Sequence, residues 1–270
     1  MIGNLRKMAV EAAEPVRYHL PVGEERVSLN PLIGGPIRLH FTGDIHCIAC
    51  GRKTKKSFSQ GYCFPCTQRL AECDLCIVRP EKCHYDQGTC REPDWGRDHC
   101  LQPHYVYLAN SSGLKVGITR GTQIPTRWID QGATQGLPIF KVATRYQAGL
   151  IETALKAHVS DRTDWRRMLK GAAEPVDVAA ERERLLAAAE ADLAPVRERF
   201  GDAIEAVDTE PVTELAYPVD QYPEKVKSLN LDKTPTLEDT LRGIKGQYWI
   251  LDSGVINIRK YAGYHVEFSA

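Results

Sequence analysis

Outside one stretch of the chain there is no cysteine: all nine fall between Cys47 and Cys100 of the 270 residues. There is also no run of about eighteen apolar residues, so no membrane-spanning helix is expected. No export signal is recognised at the start of the sequence. With an odd cysteine count, this argues against a disulfide framework and for reduced thiols in the cytoplasm. Net charge is missing too, since 35 basic residues balance 35 acidic ones and the pI is near 7.1. This excludes the broad positive field of a protein that coats nucleic acid nonspecifically. It leaves room for a local patch, and Arg52, Lys53, Lys55 and Lys56 form one inside the cysteine-rich stretch.

The first four cysteines, Cys47, Cys50, Cys63 and Cys66, read C-x2-C-x12-C-x2-C. Each C-x2-C pair can set two thiolates on one side of a tight turn. Two such turns facing each other make a tetrahedral sulfur cage of the zinc-ribbon kind. Gly51 and Gly61 flank the two turns, where positive φ is useful. The other five, Cys73, Cys76, Cys83, Cys90 and Cys100, share their segment with His84, His99 and His104. A second zinc ion needs four ligands. We assign Cys76, Cys83, Cys90 and Cys100, leaving Cys73 over. Both sites are closed all-cysteine cages, so the zinc is expected to be structural.

Along the chain, residues 1–45 read as a β segment. Ile37, Leu39 and Phe41 alternate with Arg38 and His40, the period of a half-buried strand. The cysteine module occupies 46–103. A compact α/β part follows over 104–172. Tyr105–Ala109 and Leu114–Thr119 form a hairpin around Asn110-Ser111-Ser112-Gly113. Pro125 opens a short helix, Pro138–Tyr146 is a third strand, and Gly149–Val159 has a helical period. Residues 173–205 are a helical connector that Pro195 should kink or divide. Residues 206–270 return to β structure, with a hairpin at Asp252-Ser253-Gly254 and an alternating strand over Tyr264–Phe268. The two terminal β segments are expected to meet in one module.

In the central part Tyr105-Val106-Tyr107, Lys115-Val116-Gly117, Arg127 and Glu152 follow one another in strand, strand, helix and helix. In order, context and spacing this resembles the GIY-YIG nuclease domain over about sixty residues. The resemblance implies an endonuclease in which Glu152 binds a divalent cation, Mg2+ or Mn2+, and Tyr107, Lys115 and Arg127 complete the catalytic set. Those residue types suit the chemistry. A carboxylate holds a metal that polarises phosphate, an arginine clamps its oxygens, and a tyrosine orients water or deprotonates it. The pattern departs in two places: Lys115 stands where the family has its second tyrosine, and no late asparagine is evident. The nearly full length is also similar to a bacterial family of unknown function, through Lys55–Cys66, Cys83–Arg91, the hairpin-to-Arg127 block and Gly243–Lys260.

The expected fold is therefore α+β: a zinc-ribbon-like cysteine module, a GIY-YIG-like α/β centre and flanking β-rich ends. The expected function is metal-dependent hydrolysis of nucleic-acid phosphodiester bonds, DNA and RNA being left open. The alternatives are a noncatalytic nucleic-acid binder on the same fold and a zinc-scaffolded protein-interaction module. Gly246, Tyr248, Trp249, Asn257, Arg259 and Lys260 offer either a base-stacking face or simply the core of a small sheet. Trp128, Asp130, Gln131 and Trp165 are equally open.

Overall fold

A computed structural model describes all 270 residues as a mixed α+β protein with three antiparallel sheets. The largest has seven strands and is woven from both ends of the chain. Its spine is the long strand Pro36–His46, flanked by Tyr264–Ser269 on one side and Thr236–Lys245 on the other. Ile2–Asn4 adds outside Tyr264–Ser269. Tyr248–Leu251 and Gly254–Asn257 continue beyond Thr236–Lys245. The alternation read in the sequence is explained by burial: Ile37 and Leu39 face the core, while Arg38 pairs with Glu238 outside. A small sheet of Ala9–Glu11, Arg17–Val22 and Glu25–Ser28 supplies Tyr18, Leu20 and Val22 to the same core. The terminal β segments thus meet.

The central sheet places His104–Asn110 between Leu114–Arg120 and Gln135–Val142, all antiparallel, with Leu114–Arg120 at its edge. Alternate residues divide its two faces. Val106, Leu108, Val116 and Ile118 pack against Ala148, Ile151 and Leu155 of the helix Arg145–Leu155 and against Leu185 and Leu193 of the connector. Tyr107 and Ala109 join Trp128 and Ile129 in the other core, shared with the terminal β module. Trp128 lies flat where a side chain on Gly136 would be, since a Cβ there would come within 2.5 Å of its ring.

Three boundaries differ from the sequence reading. The third strand is Gln135–Val142, not Pro138–Tyr146. The reason is a capping box: Thr144 Oγ1 accepts from the Gln147 N–H and Gln147 Oε1 accepts from the Thr144 N–H. The next helix therefore starts at Arg145 and ends at Leu155, earlier at both ends than the apolar period suggested. The connector divides at Ala189, between helices Val178–Ala188 and Glu190–Phe200, with Pro195 accommodated inside the second. No helix is long and apolar enough to cross a membrane.

His104 begins the middle strand of the central sheet with no exposure. Its Nδ1 bonds the Gln102 carbonyl at 2.7 Å, and its Nε2 is buried without a partner. Burial first, then the nearby Arg145 and Arg120, brings its pKa down to about 4. Between the ordinary histidine value and about 4, the unfolded chain binds a proton that the folded chain refuses. Stability should therefore fall as pH drops through that window and recover as it rises. In urea titrations at several pH values, His104→Phe should flatten this acid limb; an unchanged limb would show that His104 does not contribute to it.

Candidate metal centre and cleft

The zinc-ribbon spacing resolves into a cage. Cys47, Cys50, Cys63 and Cys66 place their sulfurs within 4.8 Å of one another. Cys50 Sγ and Cys63 Sγ are 3.8 Å apart. That is the edge of a tetrahedron whose metal–sulfur bonds are about 2.3 Å. Local structure brings this about. Strand pairing of His46 with Lys53 folds the first knuckle back, and Pro65 starts the helix Phe64–Arg69 that carries Cys66 in its first turn. Burial opposes a thiolate at Cys47, but the backbone N–H groups of Cys50, Cys63 and Ala49 outweigh it and bring its pKa to about 6. Burial and the other three sulfurs push Cys66 up to about 12. Four sulfurs gathered this closely are a donor set that a dication completes. This cluster can bind a structural metal such as zinc.

The later cysteines sort themselves differently. Cys76, Cys83, Cys90 and Cys100 line a single small cavity of about 20 Å³ together with Asp74 and His84. Asp74, Cys76 and His84 also bring ligand atoms within 4.8 Å of one another. Asp74 is already engaged: it meets Arg91 Nε at 2.6 Å and accepts from the Cys76 N–H. Cys73 faces away from this cavity, into a cleft.

That cleft, of about 1030 Å³, is where the four predicted catalytic residues come together: Tyr107, Lys115, Arg127 and Glu152 all line it. It runs past the edge strand Leu114–Arg120, so groups from both faces of the sheet reach it. Arg127 comes from the helix Thr126–Asp130 and Glu152 from the helix Arg145–Leu155. Lys7 and Arg259 enter from the terminal β module, and Ser59, Gln60 and Leu75 from the cysteine module.

The electrostatics are uneven. Glu152 is mostly buried; burial pushes its carboxyl pKa up, and the neighbouring Asp161 adds to this. Lys156 sits one helical turn on, 3.6 Å from Glu152 and 3.3 Å from Asp161. Burial and the adjacent Arg127 bring Lys115 down to about 8. Arg145 donates from Nη2 to the Ile77 carbonyl at 2.7 Å, while its Nε is buried with no partner. The Tyr107 hydroxyl donates to Gln131 Oε1 at 3.1 Å, and burial raises its pKa, while hydrogen bonding and the charge of Arg127 oppose the shift. Gly117 faces it directly, where a Cβ would fall 2.6 Å from the Tyr107 hydroxyl.

Other expectations divide. Arg52, Lys53, Lys55 and Lys56 are all exposed beside the loop whose tip, Ser59–Gln60, reaches the cleft, but none of the four lines it. Lys53 is paired with Asp44 at 2.6 Å. Trp249 and Trp128 are core residues. Tyr248 stacks on Trp165 away from the cleft, so of the C-terminal aromatic-and-cation group only Arg259 reaches it. The sequence reading missed Arg145, Lys156 and Asp161. The i,i+4 spacing of Glu152 and Lys156 was a visible signal for one of them.

The cysteine module also seats the Glu152 helix. A Cβ on Gly149 would lie 2.6 Å from the Pro80 ring, and the Arg145 N–H donates to the Cys100 carbonyl at 2.8 Å.

A family model described as "Protein of unknown function (DUF2797)" matches residues 34–266, and the chain belongs to that family. Neither the curated proteins nor the solved structures gave a match, so the GIY-YIG resemblance receives no support from these comparisons.

Two outcomes follow from this geometry. Cys66→Ser should lower bound zinc, measured by elemental analysis, by about one equivalent and lower the melting temperature; unchanged zinc content would refute the cage. Gly117→Ala should cost about 1–3 kcal/mol through the clash with Tyr107, read from the urea midpoint.

Proposed function

We propose that this DUF2797 member binds a nucleic-acid backbone in the cleft and hydrolyses its phosphodiester bonds with a divalent cation, while two cysteine cages hold structural zinc. One observation carries the reading. Lys115, Arg120, Arg127, Arg145 and Arg259 line the cleft without a carboxylate within ion-pair distance, whereas the cleft's other lysines, Lys7 and Lys156, are paired. Five unneutralised cations in a partly dry site call for an anion, and phosphate suits the four guanidinium groups among them.

In this reading Arg127 and Lys115 hold the nonbridging oxygens and oppose the charge that builds up at the transition state. Tyr107 and Gln131 keep the Arg127 side of the pocket in place by hydrogen bonding. Glu152 and Asp161 fit a cation, because they already share the ammonium of Lys156. Mg2+ or Mn2+ bound there would supply Lewis-acid polarisation of the phosphate. Exposed Leu75 and Val78 on the rim give an unstacked base an apolar surface, which favours nucleic acid over a small phosphate. Cys76, Cys83, Cys90 and Cys100 hold the second zinc, in a cavity with room for about one ion.

A second reading, binding without cleavage, is favoured by one specific feature: Lys156 neutralises Glu152 with the chain's own cation. The two readings separate in one experiment. Pooled single- and double-stranded DNA and RNA are incubated with the protein and Mg2+ or Mn2+. Wild type should cleave, and Glu152→Gln should bind equally but cleave on the order of 100-fold more slowly. Binding by both with cleavage by neither would select the binding reading. Binding should weaken with salt and with Arg127→Met; a flat salt titration would instead favour a protein-interaction module. Elemental analysis should give about two zinc ions per chain.

A further inference from the structure

Two lysines are almost wholly buried in this protein, and they are treated in opposite ways. Lys245, with no exposure, donates from Nζ to the Gly171 carbonyl at 2.8 Å and lies over the rings of Tyr217 and Tyr222, at 5.5 and 5.6 Å. It is a satisfied structural lysine. Lys115, only 4% exposed, has none of this. It stands on the edge strand opposite Ala109 and lines the cleft, and its amine has neither a hydrogen-bond partner nor an ion pair. The carboxylates that face it, Glu152 and Asp161, are both taken by Lys156. The group closest to it in effect is a second cation, Arg127.

A buried ammonium in that position is costly, so the site favours either an incoming anion or the neutral amine. Arg127 already provides a permanent cation of the better shape for phosphate. What Lys115 adds is a desolvated, unpartnered amine that is easier to deprotonate than an exposed lysine, the condition for a nucleophilic lysine. The carbonyl it would meet must arrive on a phosphate-bearing ligand, because the cations around it select one. In nucleic acid the electrophile of that description is the ring-opened sugar of a nucleotide that has lost its base.

We propose that Lys115 forms an imine with the C1′ aldehyde of an abasic nucleotide held in the cleft by its flanking phosphates. The proposal rests on the nucleic-acid reading of this cleft but needs no divalent cation. Lys115 Nζ attacks the aldehyde carbon to give a carbinolamine. The proton released by the attacking amine passes by way of Glu152, which faces Lys115 in the cleft, to the departing hydroxyl. One amine and one aldehyde give one imine and one water, with no change of oxidation state. The imine acidifies the C2′ hydrogen. Loss of that proton to a base expels the 3′ phosphate oxygen, breaks the C3′–O bond and leaves a C2′–C3′ double bond. Water then hydrolyses the imine, returning the amine and releasing the unsaturated aldehyde.

The test is borohydride trapping on the full-length protein, without added Mg2+ or Mn2+. A duplex oligonucleotide with one abasic site is incubated with protein and sodium borohydride, which reduces any imine to a stable amine. The products are run on a denaturing gel and the adduct is mapped by mass spectrometry. The expected result is a covalent adduct on Lys115, reduced on the order of 100-fold in Lys115→Arg, which keeps the charge and loses the nucleophile. The adduct is normalised to the oligonucleotide each protein binds in gel shift, so that weaker binding by Lys115→Arg is not read as loss of the nucleophile. Gel-shift binding with no adduct, or an adduct that maps elsewhere and survives Lys115→Arg, would overturn the imine and leave Lys115 a phosphate anchor only. A parallel arm uses pyridoxal 5′-phosphate, a small phosphate-bearing aldehyde, under the same reduction. Labelling of Lys115 by this probe with no binding of the oligonucleotide would overturn both the abasic substrate and the nucleic-acid reading, while leaving the amine reactive. Absence of labelling by either probe would remove the nucleophile altogether.

Discussion

A buried carboxylate, Asp130, fastens the three parts of this protein that wall the cleft. Its side chain is 6% exposed and accepts from Lys7 Nζ at 2.6 Å and from Gln247 Nε2 at 2.8 Å. Gln247 in turn grips the Met8 backbone in both directions, accepting from its N–H and donating to its carbonyl. The N-terminal segment, the Arg127 helix and the C-terminal sheet are therefore joined through one ionised oxygen pair. A charge taken out of water is tolerable only when such partners are all in place, and removal of one leaves the others uncompensated. The same condition makes the junction specific, since Lys7, Asp130 and Arg259 reach the cleft together.

On this frame the cleft is an electrostatic imbalance held open. Carboxylates are present, but the chain's own cations have claimed all of them except Glu72: Lys156 takes Glu152 and Asp161, Lys7 takes Asp130, Arg91 takes Asp74. What otherwise remains uncompensated is positive and close to the edge strand. A neutral overall composition is consistent with this, because charge is distributed by pairing and not by count.

Much of this was legible in the sequence where spacing encodes geometry. The C-x2-C pairs fix a knuckle, and the hairpin over Tyr105–Thr119 fixes a register that sets Gly117 against Tyr107. Period-2 alternation placed Ile37 and Leu39 in the core. What was not legible depends on distant partners. Arg145 read as the end of a strand because the reciprocal Thr144–Gln147 cap was not recognised; its approach to Ile77 is set by how the cysteine module docks. Trp249 and Tyr248 are neighbours in sequence, yet one is core and the other stacks outside on Trp165. Their strand has structure on both faces, and alternation alone cannot say which face is wet. Asp161 lies in a connection whose path is decided by the pairing of Lys115 with Ser160.

The pairing of the chain's two ends has a bearing on its synthesis. Ile2–Asn4 lies against His265–Glu267, and the strand between them and the core, Pro36–His46, cannot complete its neighbours until the last strand arrives. Such long sequence separations make assembly of the large sheet slow and late. Arg259, one of the groups lining the cleft, lies far along the chain from the cysteine module and the central hairpin. While the chain is still emerging from the ribosome, the cysteine module and the central hairpin can form, but the pocket they help to build lacks a wall. The cleft is thus walled only once strands far apart in sequence have paired.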